Sequence, residues 1–318
     1  MRGPWDVVSD CAAPCARHAL PRVSAAEVAR RCAAFARTVR RALADGGRPE
    51  AAAHRRRDHA RALLAALDIH LDIRPAGSAD ARQDDAAVPL RVPPGRSGGP
   101  GSLIVANHIS WLDIPALLAV EPVILLAKRE VGGWPVVGGL ARGAGTHFID
   151  RGNPRQLPHI VDELSELLAS GRSVAVFPQA TTWCTASGGA FRRATFQAAV
   201  DAGAPVRPVT VEYTQHGAAS TVAAFCGEDT FASSLRRVIT ARGLAVRVTV
   251  HPPLLPGRPG TGDRRALAAR AQALVQGTGL PDRGLPGPRP GITRQPEHPA
   301  VPGTPAARRP DSPAGHRV

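Results

Sequence analysis

The sequence predicts an α/β fold, a mainly parallel central sheet with flanking helices. Two observations carry it. The short apolar runs at 103–106, 173–178 and 206–212 have the length and composition of strands buried on both faces. Between them lie helical patterns, clearest at 155–170, where Leu157, Ile160, Val161, Leu164, Leu167 and Leu168 share a face before Gly171 stops it. Strands joined through helices pair in parallel, because a parallel pair needs a long crossover.

Taken in order, residues 1–23 carry Pro4, Pro14 and Pro21 and read as irregular. From 24 to about 44, Val28, Cys32, Phe35, Ala36 and Val39 recur near helical spacing, with Arg30, Arg31, Arg37, Arg40 and Arg41 between them. That basic amphipathic helix suits two settings, an anionic membrane surface or the flank of the main domain with its arginines in solvent. A second helix reads from 51 to 67 and a half-buried strand from 69 to 74, with His70 on its polar face. The Gly/Pro-rich segment 75–100 holds a possible strand at 88–92. It also holds Gly95-Arg96-Ser97-Gly98-Gly99, which lacks the strand and helix that a nucleophile elbow needs on either side. Further strands fall at 122–127, 146–151 and 244–250, a loop at Gly132, Gly133 and Pro135, and helices at 191–201 and 263–276. From about 280 onward Pro, Gly and Arg dominate, the composition of a disordered tail. The expected division is an N-terminal region at 1–60, a main domain at 61–278 and a tail at 279–318.

The formal net charge is +14, so an anionic partner is expected: a phospholipid surface, a phosphorylated substrate or nucleic acid. Aromatic residues are only 4%, too few for the stacking platforms of a single-strand nucleic-acid binder, and no nucleic-acid recognition motif is present. All but one of the 40 basic residues are arginine, so the single lysine, Lys128, stands out. Five cysteines, at 11, 15, 32, 184 and 226, imply no disulfide framework and favour a reducing compartment. Cys11, Cys15 and His18 are possible metal ligands, but no fourth ligand follows at a zinc-site spacing, so no metal or cofactor is expected. No apolar run of about 18 residues and no signal-peptide core is apparent. A peripheral protein on the cytoplasmic face of a membrane is the expectation.

Chemistry concentrates at Asn107-His108-Ile109-Ser110-Trp111-Leu112-Asp113, between an apolar strand and a helix start. A strand-to-helix turn places side chains at the carboxyl edge of a sheet. There a carboxylate five residues on can hold the imidazole of His108, giving a base and its orienter. Ser110 lies between them and fits a helix cap better than a nucleophile.

Four pieces at strand ends then line up: Asn107-His108-x4-Asp113, Gly145-x-x-Phe148-Ile149-x-Arg151, Val176-Phe177-Pro178-Gln179-Ala180-Thr181 and Pro205-Val206-x-Pro208-Val209. Together they resemble the glycerolipid acyltransferases of the lysophosphatidic acid acyltransferase type, over roughly residues 60–275. The resemblance implies that an acyl chain moves from acyl-CoA or acyl-carrier protein to the free hydroxyl of a lysophospholipid. It implies His108 and Asp113 as catalytic groups. Lys128, Arg151 and the turn Gln179, Ala180, Thr181 and Thr182 would bind substrate. The third piece departs from the family's usual Phe-Pro-Glu-Gly-Thr, with Gln179 for the glutamate and Ala180 for the glycine. Thr182 stands where the family often has arginine, and Arg192 or Arg193 is expected to supply that charge. These departures also suit another lyso-lipid acceptor, such as lyso-ornithine lipid, or a lipid-binding homologue of impaired turnover.

Overall fold

The computed structural model describes residues 7–45, 52–78, 88–93, 99–133, 137–143, 145–149, 156–257 and 263–277. Arg151, most of the Gly95–Gly99 match and the 279–318 tail lie outside them. Among these residues the chain forms an eight-stranded mixed sheet between two helical layers. Its strands are β1 (His70–Pro75), β2 (Leu103–Ala106), β3 (Ile124–Lys128), β4 (His147–Ile149), β5 (Val174–Val176), β6 (Val206–Gln215), β7 (Ala218–Ala219) and β8 (Leu244–Val250). The order is β1-β8-β6-β2-β5-β3-β4, with β7 as a hairpin partner of β6. Strands β6, β2, β5, β3 and β4 pair in parallel, whereas β8 is antiparallel to β6.

The apolar runs are strands because both faces are covered. Alternate β2 residues enter opposite cores: Ile104 and Ala106 one, Leu103 and Val105 the other, all four fully buried. The first core is covered by α2 (Ala52–Ala66) and α3 (Asp113–Val120), the second by α6 (Leu157–Ala169), α7 (Ala194–Asp201) and α9 (Arg264–Gly277). Ile160, Val161, Leu164 and Leu168 form the buried stripe of α6, each worth about 1.5–3 kcal/mol of transfer free energy.

Helix α1 (Ala25–Asp45) packs on the domain along Val28, Phe35 and Val39, while Cys32 and Ala36 of the expected stripe are exposed. Arg31, expected among the outward arginines, is instead 2% exposed. It donates to the carbonyls of Ile239 (3.1 Å) and Ala241 (2.7 Å), at the end of α8 (Phe231–Ile239), and to Asp68 (2.6 Å). Helix-end carbonyls need such donors, and a guanidinium has enough N–H groups to serve several at once. Arg30, Arg37, Arg40 and Arg41 do face solvent.

The expected strand at 88–92 does not form. Pro89 lies within it and Pro93 just after it, prolines lack the N–H a ladder needs, and Val92 N–H goes to Ser102 Oγ (2.9 Å) instead. Around the expected loop at 132–135 lie two short helices, α4 (Arg129–Gly132) and α5 (Val137–Gly143). The helix α8 was not foreseen in the sequence.

Candidate active site

The parallel strands β2, β5 and β3 end side by side, so Asn107–Asp113, Phe177–Thr182 and Lys128 share one edge of the sheet. In the His108–Asp113 pair, His108 Nδ1 is 2.8 Å from Asp113 Oδ2. The same oxygen accepts the N–H groups of Ile109 (2.7 Å) and Ser110 (2.9 Å), while Tyr213 O–H donates to Oδ1 (2.6 Å). Asp113 is fully buried, and every group that meets it is a donor. The imidazole must therefore present Nδ1–H to the carboxylate, which leaves Nε2 as the basic nitrogen. His108 stacks on Phe177 at 4.1 Å and 15°, and 21% of its side chain remains exposed. It is held on one side and open on another.

Ser110 does not cap α3. The helix begins at Asp113 with no side-chain cap, and Ser110 Oγ accepts Leu112 N–H (3.2 Å) within the turn. Asn107 ties the turn to β6: its amide accepts Val211 N–H (2.7 Å) and donates to Val211 carbonyl (2.8 Å). The side chain thus extends the β2–β6 ladder one step past Ala106, which pairs with Val209. Tyr213 lies further along the same strand. Burial and the neighbouring Asp113 carboxylate push its phenol well above the ordinary range, so it stays a donor.

The altered third motif is built into this arrangement. Gln179 is 1% exposed, and its Oε1 accepts His108 N–H (2.6 Å) while its Nε2 donates to Gly188 carbonyl. An amide fits because one partner is a donor and the other an acceptor. Ala180 closes a turn onto Phe177 carbonyl (3.0 Å) at φ 60, the left-handed region where glycine would be unstrained. Thr181 is half-buried beside it. Thr182 Oγ1 donates to Phe225 carbonyl, so the residue standing for the family's arginine is engaged in the scaffold.

Lys128 ends β3 in register with Ile149 of β4, two residues before Arg151. With β5 between β2 and β3, that strand end lies about 10 Å from the end of β2, and β4 about 14 Å, at about 4.8 Å per strand. Arg192 N–H binds Pro178 carbonyl (2.9 Å), and Arg192 and Arg193 are exposed just before α7.

Three supporting residues escaped the sequence reading. Tyr213 is the chain's single tyrosine, just past the predicted 206–212 strand, and that rarity was the available signal. Ser234 of α8 accepts Trp111 Nε1–H (3.1 Å), and Phe231 packs against the same indole at 5.1 Å. Nothing local marks either of them. The metal-ligand reading also changes. His18 sits by Thr240 (3.3 Å), whereas Cys11 and Cys15 meet Cys184, a partner that sequence spacing did not suggest.

A buried carboxylate orienting an open imidazole at a sheet edge is an arrangement suited to drawing a proton from a nucleophile. The chain matches the family model described as Acyltransferase over residues 87–212. It is 40% identical over 175 residues to a lyso-ornithine lipid O-acyltransferase of Pseudomonas aeruginosa, covering 55% of this chain and 66% of that protein. It is 35% identical over 205 residues to a 1-acyl-sn-glycerol-3-phosphate acyltransferase of Neisseria meningitidis serogroup B, covering 64% of this chain and 73% of the relative. The solved 1-acyl-sn-glycerophosphate acyltransferase of Thermotoga maritima aligns with a TM-score of 0.47 at 22% identity, over 70% of this chain and 76% of that one. The chain belongs to the same acyltransferase family as the Pseudomonas and Neisseria relatives.

Proposed function

We propose that the protein transfers an acyl chain from an acyl thioester, acyl-CoA or acyl-carrier protein, to the free hydroxyl of a lysophospholipid of the lysophosphatidic acid kind. The carrying observation is the His108–Asp113 pair, with Nδ1 committed to the carboxylate and Nε2 left as the base. Nε2 takes the acceptor hydroxyl's proton as its oxygen attacks the thioester carbonyl. The C–O bond forms, the C–S bond breaks, and the proton passes to the leaving thiolate. Asp113 supports the imidazolium in between, with Tyr213 and two backbone N–H groups holding the carboxylate still. No serine or cysteine nucleophile is needed.

Lys128, Arg151, Arg192 and Arg193 are the cations proposed for the acceptor's anionic headgroup, and Gln179 to Thr182 form the wall between the base and that end. A second acceptor, lyso-ornithine lipid, is favoured by Thr182. Its hydroxyl is spent on Phe225 carbonyl where the family often has an arginine, and the Pseudomonas relative carries that activity in its name. Among the described residues no helix is long and apolar enough to cross a membrane. We place the protein on an anionic membrane surface, with Arg30, Arg37, Arg40 and Arg41 of α1 as the outward charges.

The deciding experiment is thiol release from acyl-CoA with lysophosphatidic acid and lyso-ornithine lipid as parallel acceptors. Turnover with either, lost in His108→Ala, supports the reaction. Thiol release that persists in a folded His108→Ala protein overturns it. Binding of both lipids without turnover by the wild type would identify a lipid-binding homologue instead.

A further inference from the structure

Three of the five cysteines converge on one point with a fourth nearby, and the proposed acyl transfer uses none of them. Cys11 and Cys15 stand at the two ends of a tight turn, where the 3-10 segment Ala13–Cys15 is closed by Cys15 N–H on Ala12 carbonyl (2.9 Å). Cys184 arrives from the loop after Thr182. Its Sγ is 3.3 Å from Cys11 Sγ, and its N–H donates to that sulfur at 3.3 Å. The sulfurs of Cys11, Cys15 and Cys184 all lie within 4.8 Å of one another. Cys226 is buried beside them, one residue before Gly227, whose backbone packs against Ala12 and Cys11. Gly227 permits the approach: at φ +62, a Cβ there would stand 3.2 Å from Ala12 Cα.

We propose that Cys11, Cys15, Cys184 and Cys226 are the ligands of a structural Zn²⁺ ion. The Cys11-x3-Cys15 spacing is within the range of zinc sites, and Zn–S bonds of about 2.3 Å set tetrahedral sulfurs about 3.8 Å apart. Cys11 and Cys184 stand at 3.3 Å and Cys15 within 4.8 Å of both, close enough for one ion to take all three sulfurs. A single ion fits better than an iron–sulfur cluster, whose cysteines bind different irons and stand further apart. Each thiol releases its proton to solvent as its sulfur bonds the metal, so binding is tighter at higher pH. The Cys184 N–H on Cys11 Sγ is the outer-shell donor that a thiolate ligand requires.

The ion would fasten the N-terminal segment to the back of the catalytic turn. Cys184 follows Trp183, whose N–H holds His108 carbonyl (2.8 Å). Cys226 follows Phe225, whose N–H holds Ile109 carbonyl (2.9 Å). Both loops that grip the turn therefore end in a proposed ligand. The inference stands on this geometry and not on the acyl-transfer reading.

The test is elemental analysis of the full-length protein, purified under thiol reductant without chelator, followed by replacement of the metal with Co²⁺. The expected result is about one zinc per chain. With cobalt, a thiolate-to-metal charge-transfer band and the intense visible bands of a tetrahedral site are expected. Cys11→Ser, Cys184→Ser and Cys226→Ser lose those bands, and Cys32→Ser, at an exposed cysteine, keeps them. Should the serine variants fail to fold, the wild-type cobalt spectrum and zinc content decide alone. Reduced, folded wild type that carries no zinc and gives no cobalt bands overturns the proposal. So does stoichiometric iron in place of zinc, a Cys11–Cys184 disulfide in peptide maps of alkylated protein, or full cobalt bands in Cys184→Ser.

Discussion

Replacing Gln179 with glutamate, the residue common in the family, should damage this protein. In the wild type the amide oxygen accepts His108 N–H at 2.6 Å and the amide nitrogen donates to Gly188 carbonyl, at a position 1% exposed. Glutamate keeps the first bond and strengthens it, because an ionised acceptor is about twice as strong. Its second oxygen then faces a carbonyl, acceptor against acceptor. An unsatisfied buried group costs about 1–3 kcal/mol, and a buried charge costs more. Gln276 Nε2, 3.4 Å from Gly188 carbonyl, relieves little of this. A net loss of about 2 kcal/mol near neutral pH would lower the melting temperature by about 4–8 °C in a domain of this size. Protonating the glutamate restores a donor toward Gly188, so its folded pKa is raised. For a raised carboxyl the stability is present below its ordinary range, about 4.3, and is lost as pH rises through the folded value. Thermal melts of wild type and Gln179→Glu at pH 5 and pH 8 check this. Equal or higher melting temperature in the variant at pH 8, or a gap that does not widen from pH 5 to pH 8, would refute the reasoning.

Asp113→Asn should lower turnover by about 10²–10⁴-fold, since an amide no longer enforces Nδ1–H on His108; steady-state kinetics on a folded sample measures it. Tyr213→Phe removes only the donor on Asp113 Oδ1 and should cost about 1–3 kcal/mol in denaturant melts, with a smaller loss of rate than Asp113→Asn. Ala180→Gly should raise stability by up to about 1 kcal/mol, because the φ of 60 strains alanine; urea melts read it directly. Burial lowers the pKa of His251, whose Nε2 lies 2.8 Å from Thr210 Oγ1. A depressed histidine contributes stability above its ordinary value of about 6.5, and this is lost as pH falls toward the folded value. Melting temperatures should therefore decline below about pH 6.5, and less steeply in His251→Gln.

The parts of the fold visible in the sequence were those set by local period. The run at Leu103–Ala106 and the stripe on α6 announce their partners' existence through burial alone. The His108–Asp113 pair was visible because its members are five residues apart across one turn. What stayed hidden depends on distant chain. Tyr213 reaches Asp113 across 100 residues and Cys184 reaches Cys11 across 173, and no spacing rule spans such gaps. Arg31 reads as one more solvent arginine until the end of α8 is seen to offer it two carbonyls. The role of Gln179 was ambiguous for a different reason. As a departure from a motif it reads as damage, and only its two opposite partners show it as a fitted choice.

The amide of Val211 is protected by a side chain, that of Asn107, and not by a neighbouring strand's backbone. Its exchange with solvent deuterium therefore reports on the seat of the catalytic turn. Because Asn107 is fully buried and lies between β2 and the middle of β6, that turn cannot loosen without opening the centre of the sheet. Local openings elsewhere, at chain ends and outer loops, leave it untouched. The proposed base is thus seated at the centre of the sheet, while Lys128 ends the outer strand β3.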